Sequence, residues 1–113
     1  MVRKAMRLNP YYPSVYLELL GSIYYLLGDH EEAVEAFKML VIRNPQGIVG
    51  RQGLVVAYIR LGWKERVRTE IAELLRFFPE YSLKAYRKQA HSMRIDPAVV
   101  ESDIKALRET GLN

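Results

Sequence analysis

The chain has 113 residues, half of them apolar and 27% charged, with a net charge of +4; that is enough for one small domain with a moderately buried core. It contains no cysteine, which excludes disulfides, thiolate metal sites and a cysteine nucleophile. No apolar run approaches the roughly 18 residues of a membrane span, and "MVRKAMRLNP" is too short and polar for a signal peptide, so the expected setting is the cytoplasm, away from membranes.

Hydrophobic spacing predicts an all-α chain of seven helices, at about 2–8, 13–27, 30–43, 47–61, 64–77, 81–92 and 97–110. In the second, Leu17, Leu20, Tyr24 and Leu27 fall on one face, and Gly28 supplies a left-handed stop. Asp29 and Glu32 then have the spacing of a D-x-x-E capping box for the next helix. Ala33, Val34, Phe37, Leu40 and Val41 form its apolar stripe, and Asn44-Pro45 ends it.

The following stretch repeats this plan at a shift of 34 residues. Leu20 falls on Leu54, Tyr24 on Tyr58, Gly28 on Gly62, Ala33 on Val67, Phe37 on Ile71 and Pro45 on Pro79, while the charged positions are rewritten. One buried unit is used twice with a changed surface. In the second unit Trp63 replaces Asp29, so its second helix is expected to lack a side-chain cap. Gly50 and Gly53 lie inside its first helix, each weakening it by about 1 kcal/mol relative to alanine; this marks it as the softer unit.

After Pro79 the pattern decays. "EYSLKAYRKQAHSM" reads as a helix with Leu83, Tyr86 and Ala90 inward and Glu80 spaced to pair with Lys84, but with no glycine at the expected turn. Asp96-Pro97 reads as an N-cap and first helical residue. Val100, Ile104, Leu107 and Leu112 follow as an apolar set, with Glu101 spaced to pair with Lys105 and Gly111 as the stop. The organisation expected is therefore residues 1–13 as the end of a preceding repeat, 14–47 and 48–81 as two repeats, and 82–113 as a degenerate capping hairpin with a polar outer face. Ala5, Leu8 and Pro10 are in register with a repeat's end, so the chain reads as starting in the middle of an array.

The period of 34 and the helix-turn-helix unit resemble the tetratricopeptide repeat. The residues carrying the likeness are Leu20, Gly21, Tyr24, Gly28, Ala33, Phe37 and Pro45, then Leu54, Tyr58, Gly62 and Pro79. The run "GDHEEA", "RNP", "AYIRLG", "YSLKAYRK", "DPAVVES" and "LRETGL" further resembles the C-terminal repeat modules of bacterial adenylate/guanylate cyclases and of some winged-helix regulators. The cyclase's metal-binding aspartates and domain are not in this sequence, so no such activity is expected of it.

The resemblance implies a short right-handed superhelix whose first helices line a concave face. On that face it places Val15, Glu18, Ser22 and Tyr25, then Val49, Gln52, Val56 and Ile59. Such a largely apolar groove suits a peptide or protein partner docked by apolar anchors, unless the protein's own last helix fills it. Relatives that clamp a terminal carboxylate use Lys and Asn where this chain has Glu18 and Ser22; a glutamate repels a carboxylate, so that clamp is not expected.

Other chemistry finds little support. His30 and His91 read as surface residues, and nothing brings them together with carboxylates as metal ligands require. "GIVGRQG" lacks the phosphate-binding G-x-G-x-x-G order. Glu31, Glu32 and Glu35 read as a helix surface and first-turn dipole partners. No catalytic constellation is visible, and no cofactor is expected. Tyr24 and Tyr58 are core by register, whereas Tyr11, Tyr12, Tyr16 and Tyr25 cluster near one end of the groove as interface anchors.

Charge is uneven: residues 46–94 hold ten Lys/Arg against four acids, residues 1–45 balance, and the tail from Ile95 carries −2. A basic half with interleaved aromatics admits a nucleic-acid reading, but an amphipathic helix with a solvated face accounts for the same spacing and is preferred. The expected function is a non-catalytic protein-interaction module, a scaffold or regulatory tail of a larger bacterial protein. The alternative is a homo-oligomer stacked through terminal helices, with Met6 and Leu8 at the seam.

Overall fold

The computed structural model describes residues 13–92 and 94–113. The helix expected at 2–8, with Ala5, Met6, Leu8 and Pro10, and the tyrosines at 11 and 12 lie outside them. The described residues form six helices and no strand: α1 (Ser14–Leu26), α2 (His30–Arg43), α3 (Ile48–Leu61), α4 (Lys64–Phe77), α5 (Leu83–Ser92) and α6 (Pro97–Arg108). None is long and apolar enough to cross a membrane.

The helices come in three pairs, and each pair turns in the same way. After α1, Gly28 sits at φ +82°; the Asp29 amide donates to the Tyr24 carbonyl at 2.8 Å and the Gly28 amide to the Tyr25 carbonyl at 3.1 Å. After α3, Gly62 sits at φ +73°, with Trp63 donating to Tyr58 and Gly62 to Ile59. After α5 the same two bonds recur, Ile95 to Ala90 and Arg94 to His91. Here the left-handed residue is Arg94, at φ +59°. Each is a Schellman stop, which satisfies carbonyls the helix end would strand.

The second helices repeat as well. Ala33, Val67 and Val100 are buried, as are Phe37, Ile71 and Ile104, and Leu40, Leu74 and Leu107. The third pair thus keeps the buried pattern of the other two. Its first helix stops 32 rather than 34 residues after the preceding one, and its turn holds one extra residue, Ile95. Those two slips hide the repetition in the sequence.

Caps differ from expectation at one end. Asp29 stands at the N-cap of α2 but its side chain makes no capping bond, because its backbone leaves the glycine turn at ψ 67° rather than in the extended region. The D-x-x-E box is therefore not formed; Glu31 and Glu32 still place negative charge in the first turn. Trp63 gives α4 no side-chain cap, as expected. Asp96 does cap α6, accepting the Ala98 amide at 2.8 Å, with Pro97 at the first helical position.

Helix α3 is the spine. Gly50 through Tyr58 are buried without interruption, as expected of a helix covered on all sides. Gly50 and Gly53 are contact points rather than soft spots, which corrects the reading from propensity. A Cβ on Gly53 would lie 2.5 Å from the Phe37 ring, and one on Gly21 would lie 2.7 Å from it. Phe37 of α2 is thus seated between two glycines, one on α1 and one on α3. Arg51 is buried too: its Nε and Nη2 donate to the Pro45 carbonyl at 3.1 and 3.0 Å, and its Nη1 to Glu70 at 3.2 Å. Its guanidinium lies 4.6 Å from the centre of the Phe77 ring.

The last pair closes on itself. Arg87 of α5 donates to both carboxylate oxygens of Glu101 on α6, at 3.0 and 3.1 Å. Glu101 therefore faces across the pair rather than along α6 toward Lys105. Glu80 precedes the start of α5, so the expected helical pair with Lys84 does not arise. The Leu83 amide donates to the Asn113 carbonyl at 2.9 Å, and Leu112 is buried.

Candidate interaction groove

The eight side chains expected on the concave face come from α1 and α3, and they fall into two groups. Val15 and Val49 are 48% and 38% exposed, with Glu18 and Ser22 half-buried. Glu18 and Val49 share a crevice of about 80 Å³ with Ser14, Leu40, Asn44 and Ile48. This end is accessible. At the other end the chain occupies its own surface. Gln52 is buried, with its side chain set against the Tyr81 hydroxyl. Val56 is buried. Ile59 lines a cavity of about 110 Å³ together with Val67, Ala106 and Thr110. Tyr25 lies close enough to Arg60 and Tyr86 for their hydroxyls and charge to interact.

Asp103 is central to the filled end. It sits inside the apolar stripe of α6, between Val100 and Leu107, and is 1% exposed. Its Oδ2 accepts the Tyr86 hydroxyl at 2.7 Å, and its carboxylate pairs with the Arg60 guanidinium of α3. A buried carboxylate is tolerable only with its charge and lone pairs met in this way. Burial pushes the Tyr86 hydroxyl well above its ordinary pKa, with the Arg60 charge opposing. Burial likewise raises Tyr25, again against Arg60, and raises the Tyr81 hydroxyl to about 12.

His30 borders this cluster, its ring 5.2 Å from that of Tyr25. It is half-buried rather than a free surface residue. Burial first, then the Arg60 charge, hold its pKa below the ordinary value, with Asp29 pulling the other way. His91 is exposed. Among the described residues no three His, Asp or Glu side chains converge as a metal site would need.

Arg60, Tyr86 and Asp103 were missed as a group by sequence reasoning. The available signal was Asp103 itself, a charge spaced three and four residues from Val100 and Leu107, and so on the face meant for the core. The basic half is also less free than its composition suggests: Arg51, Arg60 and Arg87 are engaged by Glu70, Asp103 and Glu101. Leu83, Tyr86 and Ala90 are buried, which leaves Lys84 and Lys88 on the outer side of an amphipathic helix. No protein-family model matches the chain, and no curated protein matches it.

Proposed function

We propose that this chain is a non-catalytic protein-interaction module, a short array of tetratricopeptide-type helix pairs that serves as a scaffold or regulatory tail of a larger bacterial protein. Its partner is a peptide or protein segment that docks by apolar anchors at the accessible end of the groove, on Val15, Ser22 and Val49, with Glu18 disfavouring acidic groups there. The reading is carried by one observation: three helix pairs share one turn and one buried pattern, while Val15 and Val49 stay exposed on adjacent first helices. Apolar groups held open on a rigid frame are what peptide docking uses.

The test is affinity capture from the source cell with the full chain and with Val15→Arg plus Val49→Arg, after circular dichroism shows equal helicity. A protein retained by the wild type and lost by the variant supports the reading; equal retention overturns it. Self-association is the second reading. It is favoured by Leu26 and Leu27, 76% and 68% exposed at the end of α1, in a helix with a single charged residue. Light scattering across a concentration series decides it, since a monomer throughout removes it.

A further inference from the structure

We propose that the seat on α3 beneath α6 is a binding surface for an acidic amphipathic helix, and that the α5–α6 hairpin is its resident occupant, displaced when such a helix arrives from a partner. This deepens the interaction reading above and rests on it.

Three observations carry it. The first is charge complementarity. Arg60 on the seat meets Asp103 on α6, residues 48–77 of α3 and α4 hold six Lys/Arg against three acids, and residues 95–113, which include α6, hold four acids against two Lys/Arg; the positive charges of α5 lie on the helix that stands off the body. The second is how the hairpin is attached. Pairs one and two pack closely through α2 and α3, whereas the third pair approaches the body chiefly through α6 against α3, with α5 standing off α4. The cavity of about 110 Å³ lies along that seam, between Ile59 and Val67 on one side and Ala106 on the other. The third is that the hairpin holds itself together. Arg87–Glu101, Tyr86–Asp103 and the Leu83–Asn113 backbone bond all lie within it, so it can lift as a unit on residues 78–82 once Tyr81, buried against Gln52 of α3, is released. On lifting, Asp103 keeps Tyr86, and Arg60, already at the edge, is rehydrated. A competitor must supply what α6 supplies: a carboxylate for Arg60, with apolar residues one position and one turn further on, as Ile104 and Leu107 are placed after Asp103.

The experiment uses the full chain and, as probe, a labelled synthetic peptide of residues 96–113. Hydrogen exchange is expected to show α5 and α6 amides opening while those of α2 and α3 stay protected. Asp103→Asn should accelerate the α5–α6 opening about ten-fold, the size of one lost charged hydrogen bond, and leave α2 unchanged. The probe should bind this variant about ten-fold tighter than wild type, and an Asp103→Asn probe or an Arg60→Gln chain should lose that gain. Where Asp103→Asn fails to fold, Arg60→Gln, which removes the cation from the seat instead, should give the same faster α5–α6 opening without the gain in probe binding. Opening of α5–α6 only together with α3 overturns the proposal. So does a probe indifferent to its own carboxylate, or a variant that dimerises by exchanging hairpins, which would make a second copy the occupant. Val15→Arg plus Val49→Arg should not alter probe binding. A captured partner sensitive to those two changes, with no probe binding, would sink this inference and leave the interaction reading standing.

Discussion

The ring of Phe37 occupies the space in which a side chain on Gly53 would begin, with 2.5 Å between the ring and an added Cβ. Propensity alone makes Gly53→Ala a stabilising change in a helix interior. The contact reverses the sign, because the same edge of the Phe37 ring is also closely approached by Gly21, which limits how the ring can shift. Gly53→Ala should lower stability by about 1–3 kcal/mol, the usual cost of overpacking, read as a fall in melting temperature. Gly53→Ala combined with Phe37→Leu should lose less than the sum of the two single changes, because they relieve one another.

Arg94 offers the opposite case. It holds the left-handed position that Gly28 and Gly62 hold in the other two turns, and a residue with a Cβ is strained there by about 1–2 kcal/mol. It is exposed, so little packing is lost on replacement. Arg94→Gly should raise stability by up to about 1 kcal/mol, the relief being partly offset by the freer unfolded chain. A chemical denaturation midpoint at or below wild type would show that the Arg94 side chain is needed.

Arg51 and Glu70 form a nearly buried pair. Arg51→Met would leave the Pro45 carbonyl without its donors and strand the Glu70 carboxylate, at a cost of about 3–5 kcal/mol near neutral pH. Burial already raises the Glu70 pKa, and Arg51 is the main group opposing that rise. Without Arg51 the folded pKa climbs further above the unfolded one, so the folded state takes up its proton first. Part of the loss should therefore return as pH falls from 7 toward 5. A deficit unchanged over that range would mean that the lost backbone contacts dominate.

Tyr81 sets an alkaline limit. Its folded pKa is about 12 against 10 for a free phenol. Between those values the unfolded chain has released a proton that the folded chain retains, so stability falls as pH rises from 10 toward 12. Tyr81→Phe should flatten this part of the pH–stability curve, leaving a smaller slope from the other buried phenols. An unchanged slope would show that the Tyr81 hydroxyl reaches water.

All six described helices begin and end within two residues of their sequence expectation because most of their signals are local: Gly28 and Gly62 at stops, Pro97 at a start, Pro45 and Pro79 beyond ends. What local signals missed was lateral. Whether Gly53 is a weakness or a socket depends on Phe37, 16 residues away. The third stop was hidden because Arg94 occupies a position that sequence reasoning looks for as glycine. Filling by the last helix stood as an alternative in the sequence, but the outcome was not legible there. That depended on where α6 comes to rest, and only Asp103, a charge on an apolar face, hinted that it would meet a cation elsewhere.

The burial of α3 on all sides also bears on how such an array could lengthen. Repeat proteins grow by copying an internal unit, which works when each copy needs only neighbours like itself. The middle pair here has individual attachments: Gly53 to Phe37 before it, Arg51 to the Pro45 turn, Arg60 to the single Asp103 after it. A duplicate inserted beside it would find each of those partners already taken. The exposed Leu19, Ile23 and Leu26 of α1 make no such exclusive demand.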